Sequence, residues 1–122
     1  MTLRERFVPA DPRRVGAEPD YRFTLANERT FLAWIRTALA LAAGGPAAVG
    51  LLEDLAGGEL LGILLLVLSF VTAASAYRRW ALNERSMRLQ EPLPASRLPM
   101  MMAIGTAIVA VVAAVVLVVD RS

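Results

Sequence analysis

Three uncharged stretches divide the chain: 37–52, which with the largely apolar residues 31–36 reaches spanning length; 60–77, rich in Leu and Val; and 98–119, ending in an Ala/Val run. A helix crossing a ~30 Å hydrocarbon layer needs roughly 18 to 22 apolar residues. Each stretch therefore predicts one transmembrane helix, with spans at about 31–52, 60–77 and 98–119. Three fully buried helices would need far more surrounding protein than 122 residues supply. The expected fold class is an all-α membrane protein with three transmembrane helices.

The flanks set the orientation. Arg4, Arg6, Arg13, Arg14, Arg22 and Arg29 precede the first span, and Arg78, Arg79, Arg85, Arg88 and Arg97 lie between the second and third. The first connection carries Glu53, Asp54 and Glu59 and no basic residue, and Arg121 is the sole base of the C-terminal tail. Positive charge collects on the cytoplasmic side of membrane proteins. The N-terminus and residues 78–97 are thus expected in the cytoplasm, with the acidic hairpin and the C-terminus outside, in the cell inner (plasma) membrane as a multi-pass protein. Trp34, Tyr77 and Trp80 fall near the inner boundary, where amphipathic rings sit. A signal peptide is not expected, because the first apolar run starts some thirty residues in and two more follow.

Composition agrees and narrows the chemistry. Hydrophobic residues make up 57% of the chain and its mean hydropathy is +0.53, above the level of about half usual for soluble domains. All 13 basic residues are Arg; a GC-rich genome explains that, and so does a preference for phosphate or carboxylate partners, which guanidinium forks suit. The absence of Cys and His excludes disulfides, thiolate nucleophiles and common zinc sites. With no carboxylate inside a span and no base near Ser69 or Ser75, whose hydroxyls are expected to bond the preceding turn, an enzyme is not expected. Neither is a metal, a cofactor or a nucleic-acid partner.

Residues 1–19 hold Pro9, Pro12 and Pro19 among many charges and read as a mobile cytoplasmic tail or a surface strap. Residues 20–122 form the three-span membrane domain. Asp20 is placed to cap a helix that runs unbroken into the first span. After Tyr77 the second helix is expected to extend past the membrane, supported by Glu84 and Arg88 at i,i+4, until Pro92, Pro94 and Pro99 return the chain. Asn27-Glu28-Arg29-Thr30 and Asn83-Glu84-Arg85-Ser86 echo each other; chance explains so short a match, and the other reading is a pair of parallel polar collars in an assembly.

Arg22, Arg29 and Arg36 are spaced by seven, which puts them on one face of a helix; Arg78 and Arg85 repeat the spacing. With Leu52 at the outer boundary, Arg36 falls several ångströms inside the hydrocarbon. It then either snorkels to headgroups or faces the bundle interior, an aqueous vestibule or an anion, unless Glu28 or Glu84 neutralises it. Outward on that face come Ala40, Ala43 and Ala47, and Thr106, Ala110 and Ala114 give the third span a small-residue packing stripe. Gly44, Gly45 and Pro46 are expected to kink the first helix, as a packing feature or a gate.

Residues 21–45, and above all Asn27-Glu28-Arg29-Thr30-Phe31-Leu32-Ala33-Trp34-Ile35-Arg36, resemble the signature of the YidH-like family of bacterial membrane proteins, a three-span domain of unknown function. That domain is in turn similar to the membrane part of the vacuolar transporter chaperone (VTC) complex, which makes polyphosphate and moves it across a membrane. The resemblance implies subunits assembled in a ring, with Arg29 and Arg36 along an anion path, Glu28 beside them, and Arg78, Arg79 and Arg85 adding charge at the mouth. The sequence carries neither the polymerase nor the phosphate-sensing domain of the large VTC subunits, so polyphosphate synthesis is not implied.

Two functions compete. One is a self-associating subunit, a homo-oligomer in the lipid bilayer, whose arginines bind or conduct an anion, phosphate-rich ligands included. The other is a non-conducting scaffold or accessory subunit that binds anionic lipid or a partner protein. The direction in which Arg36 points separates them.

Overall fold

Asp20 starts the first helix: its carboxylate accepts a hydrogen bond from the Arg22 amide at 3.0 Å, satisfying a donor the helix leaves open. In the computed structural model, which describes Pro9 and residues 11–121, helix α1 then runs over Tyr21–Leu51, as the cap predicted, with Pro46 inside it. Gly57, at φ +97°, turns the chain into α2, Gly58–Arg88. A β-carbon on Gly57 would lie 2.6 Å from Val116 Cγ2, so the turn needs glycine for its backbone and for its space. Helix α3 covers Leu98–Arg121. All three are long and apolar enough to cross a membrane. At 1.5 Å per residue α1 and α2 are each about 46 Å long, so both outrun a ~30 Å hydrocarbon layer.

Helix α2 stops four residues before Pro92. Gln90 adopts a left-handed conformation (φ +54°), while the Glu91 amide donates to Ser86 O at 2.9 Å and the Gln90 amide to Met87 O at 3.4 Å. This is the paired C-terminal closure that satisfies a helix's last carbonyls. Pro99 falls in the first turn of α3, where a proline sacrifices no helical hydrogen bond.

The centre of the bundle is α2, which packs along its length against α1 and less extensively against α3. One antiparallel register runs through the α1–α2 contact. Asn27 Nδ2 donates to Trp80 O at 3.0 Å, Ser69 Oγ donates to Ala38 O at 2.7 Å, and Gly45 and Gly62 bring the backbones together. Ser69 thus bonds across the interface and not, as expected, within its own helix; small residues on α1 let the hydroxyl reach a neighbouring carbonyl. On the other side Thr72 Oγ1, fully buried, contacts Met102 Sδ at 2.8 Å, and Gly105 receives Leu68. The stripe Thr106, Ala110 and Ala114 is exposed; within the chain Gly105, one position earlier, takes the close contact.

Of the proposed tail, residues 1–8 and 10 lie outside the described residues. Pro12–Arg14 form a short 3-10 turn capped by Asp11. The Arg13 amide, then the Arg13 side chain, donate to the Asp11 carboxylate and hold its pKa below the usual value. The segment then lies against the end of α2. The Ala17 amide donates to Arg88 O at 3.2 Å, an Arg88 guanidinium nitrogen donates to Arg13 O at 3.1 Å, and Gly16 (φ +60°) touches the Arg88 backbone so closely that no side chain fits.

Candidate functional site

The α1–α2 register turns sequence spacing into depth. Asn27 pairs with Trp80, Ala38 with Ser69 and Gly45 with Gly62. On that scale Arg22 is level with Arg85, Arg29 with Arg78, and Arg36 with Val71. Arg36 is therefore level with the uncharged part of α2, six residues, or about 9 Å, below Tyr77. Two tiers of arginine from both helices precede it toward the end where the N-terminal segment and the α2–α3 connection meet.

All three α1 arginines are exposed, on the face turned away from α2. The face toward α2 carries Asn27, Ala38 and Gly45, all buried. On the outward face the arginines alternate with leucines the sequence reading passed over: Leu25, Leu32 and Leu39 are 52%, 57% and 65% exposed. Arg22, Arg29, Arg36 and Ala43 repeat every seven residues, with Leu25, Leu32 and Leu39 three residues behind. The stripe keeps the heptad spacing of a helix seam but carries arginine, at 22, 29 and 36, where such a seam is apolar. Arg36 does not face the interior of its own bundle.

The expected charge partners behave differently. Glu84 is 2% exposed and pairs with Arg88 at 3.3 Å, the i,i+4 pair read from sequence. It is level with Phe23, about 20 Å along the helix from Arg36, and cannot neutralise it. Glu28 is exposed and borders a shallow cavity of about 320 Å³ with Phe31, Tyr77 and Trp80. The echoed tetrapeptides are thus not equivalent: Asn27 and Asn83 are both buried, but Glu28 is open and Glu84 enclosed. Gly45 is buried at the α1–α2 crossing, Gly44 meets Leu65, and Pro46 is exposed on a helix that continues for five more residues.

A second cationic group was only half visible beforehand. Arg78 and Arg79 of α2 border a cavity of about 580 Å³ shared with Arg97 and the start of α3. Buried Asn83 (8% exposed) and Ser75 also line it, and no carboxylate is among its described lining residues. Arg85, exposed, lies outside this cavity. Arg97 had only its position beside Leu98 as a signal. Among the described residues no cluster of His, Cys, Asp or Glu is arranged to hold a metal.

Comparison with known proteins adds a family but no ligand. The profile "Domain of unknown function (DUF202)" matches residues 22–86. An uncharacterized protein of Mycobacterium tuberculosis is 48% identical over 99 residues, covering 79% of this chain and 81% of the relative. The inner membrane protein YidH of Escherichia coli is 47% identical over 102 residues, covering 81% of this chain and 89% of the relative, and the protein of that name in Shigella flexneri matches equally. No solved structure matches the chain significantly.

Proposed function

The chain belongs to the YidH-like DUF202 family and is a small multi-pass inner-membrane protein, and from that premise we propose that it is a self-associating subunit whose arginines bind an anion at the cytoplasmic face. The observation that carries this reading is the outward α1 face, where Arg22, Arg29 and Arg36 alternate with exposed Leu25, Leu32 and Leu39. A guanidinium at the depth of Val71 on the outside of a bundle is costly against hydrocarbon. A second copy laid on the same seam would cover it, bury the leucines, and line up arginine tiers whose repulsion an anion relieves. The distribution of arginine supports a cytoplasmic N-terminus, and the resemblance of residues 21–45 to the VTC membrane domain supports a phosphate-rich ligand. The reading assigns no catalysis.

The test is native mass spectrometry and anion flux on purified protein, wild type against Arg29→Ala and Arg36→Ala. Phosphate and short polyphosphate would be compared with chloride in liposomes. Retained oligomers with anion binding or flux lost in the variants would support the proposal. A wild-type oligomer that neither binds nor passes any of these anions would leave the scaffold reading standing.

A further inference from the structure

The cavity between α2 and α3 is complete within one chain and separate from the α1 seam. Its position along the membrane normal is informative. Ser75 belongs to the uncharged run of α2, and Leu98 and Met101 to that of α3, whereas Arg78, Arg79 and Arg97 lie just beyond those runs. The cavity thus straddles the boundary between hydrocarbon and headgroups, with an apolar wall below and three guanidinium groups above. Leu98 is 2% exposed, so the wall belongs to the packed interior and not to a loose loop. The first turn of the 24-residue α3 opens on the same space, and its positive end adds to the arginine field. Glu84, the buried carboxylate of this part of α2, is turned to Arg88 instead.

We propose that this cavity holds the phosphate of an anionic phospholipid, gripped by Arg79 and Arg97 with Arg78 beside them, while the lipid's glycerol and upper acyl chains lie along half-buried Met101, which buried Leu98 backs from the interior. Guanidinium forks match phosphate oxygens two at a time, and Asn83 and Ser75 offer donors to the remaining oxygens or the headgroup hydroxyls. A soluble phosphate ester would use the arginines but leave the apolar wall against water. A lipid uses both, and the inner leaflet supplies anionic ones.

The experiment is native mass spectrometry of the full chain released from mixed micelles of phosphatidylglycerol and phosphatidylcholine. Wild type is expected to retain phosphatidylglycerol adducts on single subunits in preference to phosphatidylcholine. Arg97→Ala, which lies outside every helix, should lower that preference about tenfold, the size of a lost charge-assisted contact; Arg79→Ala should match it. Arg22→Ala and Arg29→Ala should keep it, separating this site from the α1 seam. Undiminished adducts in both cavity variants would overturn the proposal. So would displacement of the lipid by glycerol phosphate at equal concentration, which would assign the cavity to a soluble phosphate ester.

Discussion

Replacing Gly62 by alanine is expected to destabilise the bundle, although alanine is the better helix former. A β-carbon at Gly62 would lie 2.7 Å from Val49 Cγ2 and 2.8 Å from the carbonyl oxygen of Gly45, against 3.4–4 Å for ordinary contact. Val49 can rotate away, but the Gly45 carbonyl is helix backbone and cannot. Helices α1 and α2 must therefore separate by about 0.6 Å at their closest point, loosening the contacts on either side. Overpacking of this kind costs about 1–3 kcal/mol, and the propensity gain of alanine over glycine returns about 0.5–1 kcal/mol. The net expectation is a loss of up to about 2.5 kcal/mol, centred near about 1 kcal/mol. Gly50 is the control: nothing lies within 4 Å of a β-carbon there, so Gly50→Ala should be neutral or gain up to about 1 kcal/mol. Reversible unfolding in mixed micelles with rising SDS fraction, followed by the fluorescence of Trp34 and Trp80 together, reads both. Equal stability of the two variants would refute the claim that the Gly45–Gly62 approach sets the α1–α2 register.

Three further outcomes follow from the same geometry. Arg88→Ala leaves the Glu84 carboxylate (side chain 3% exposed) unpaired and removes the donor to Arg13 O. It should lower stability by about 3 kcal/mol and speed trypsin cleavage after Arg13 and Arg14; unchanged cleavage would show that Arg88 does not hold the segment. Ser69→Ala removes the bond to Ala38 O and should cost about 0.6 kcal/mol, the average for such bonds between membrane helices, read in the same SDS titration. Gln90→Gly relieves a left-handed residue and should stabilise by about 0.5–1 kcal/mol; a loss would mean that the Gln90 side chain has a role of its own.

The spans were legible because a membrane helix needs only a charge-free run, and such runs are local. The Asp20 cap and the Glu84–Arg88 pair were legible for the same reason, since both partners lie within one or two turns. The register was not. Gly45 meeting Gly62, or Ser69 choosing Ala38 over its own helix, depends on how two distant segments slide past each other. The leucines at 25, 32 and 39 were present at a visible period of seven, but in an apolar helix a leucine does not announce a face. Only the burial of the opposite side, at Asn27, Ala38 and Gly45, singles them out. The α2–α3 cavity was hidden because Arg97 comes from the connection and Arg79 from within α2, which only the returned chain brings together.

The most direct measurement is a cysteine scan along α1. The chain has no cysteine, so each single variant reports one position. Leu25→Cys, Leu32→Cys and Leu39→Cys would be oxidised in native membranes beside exposed controls on the other helices, Phe70→Cys and Val111→Cys. Disulfide-linked dimers are expected at the three α1 positions, with linkage kept in the Arg36→Ala background and weak at the controls. Linkage that is uniform across all five, or strongest at Phe70→Cys or Val111→Cys, would contradict self-association through the arginine–leucine face.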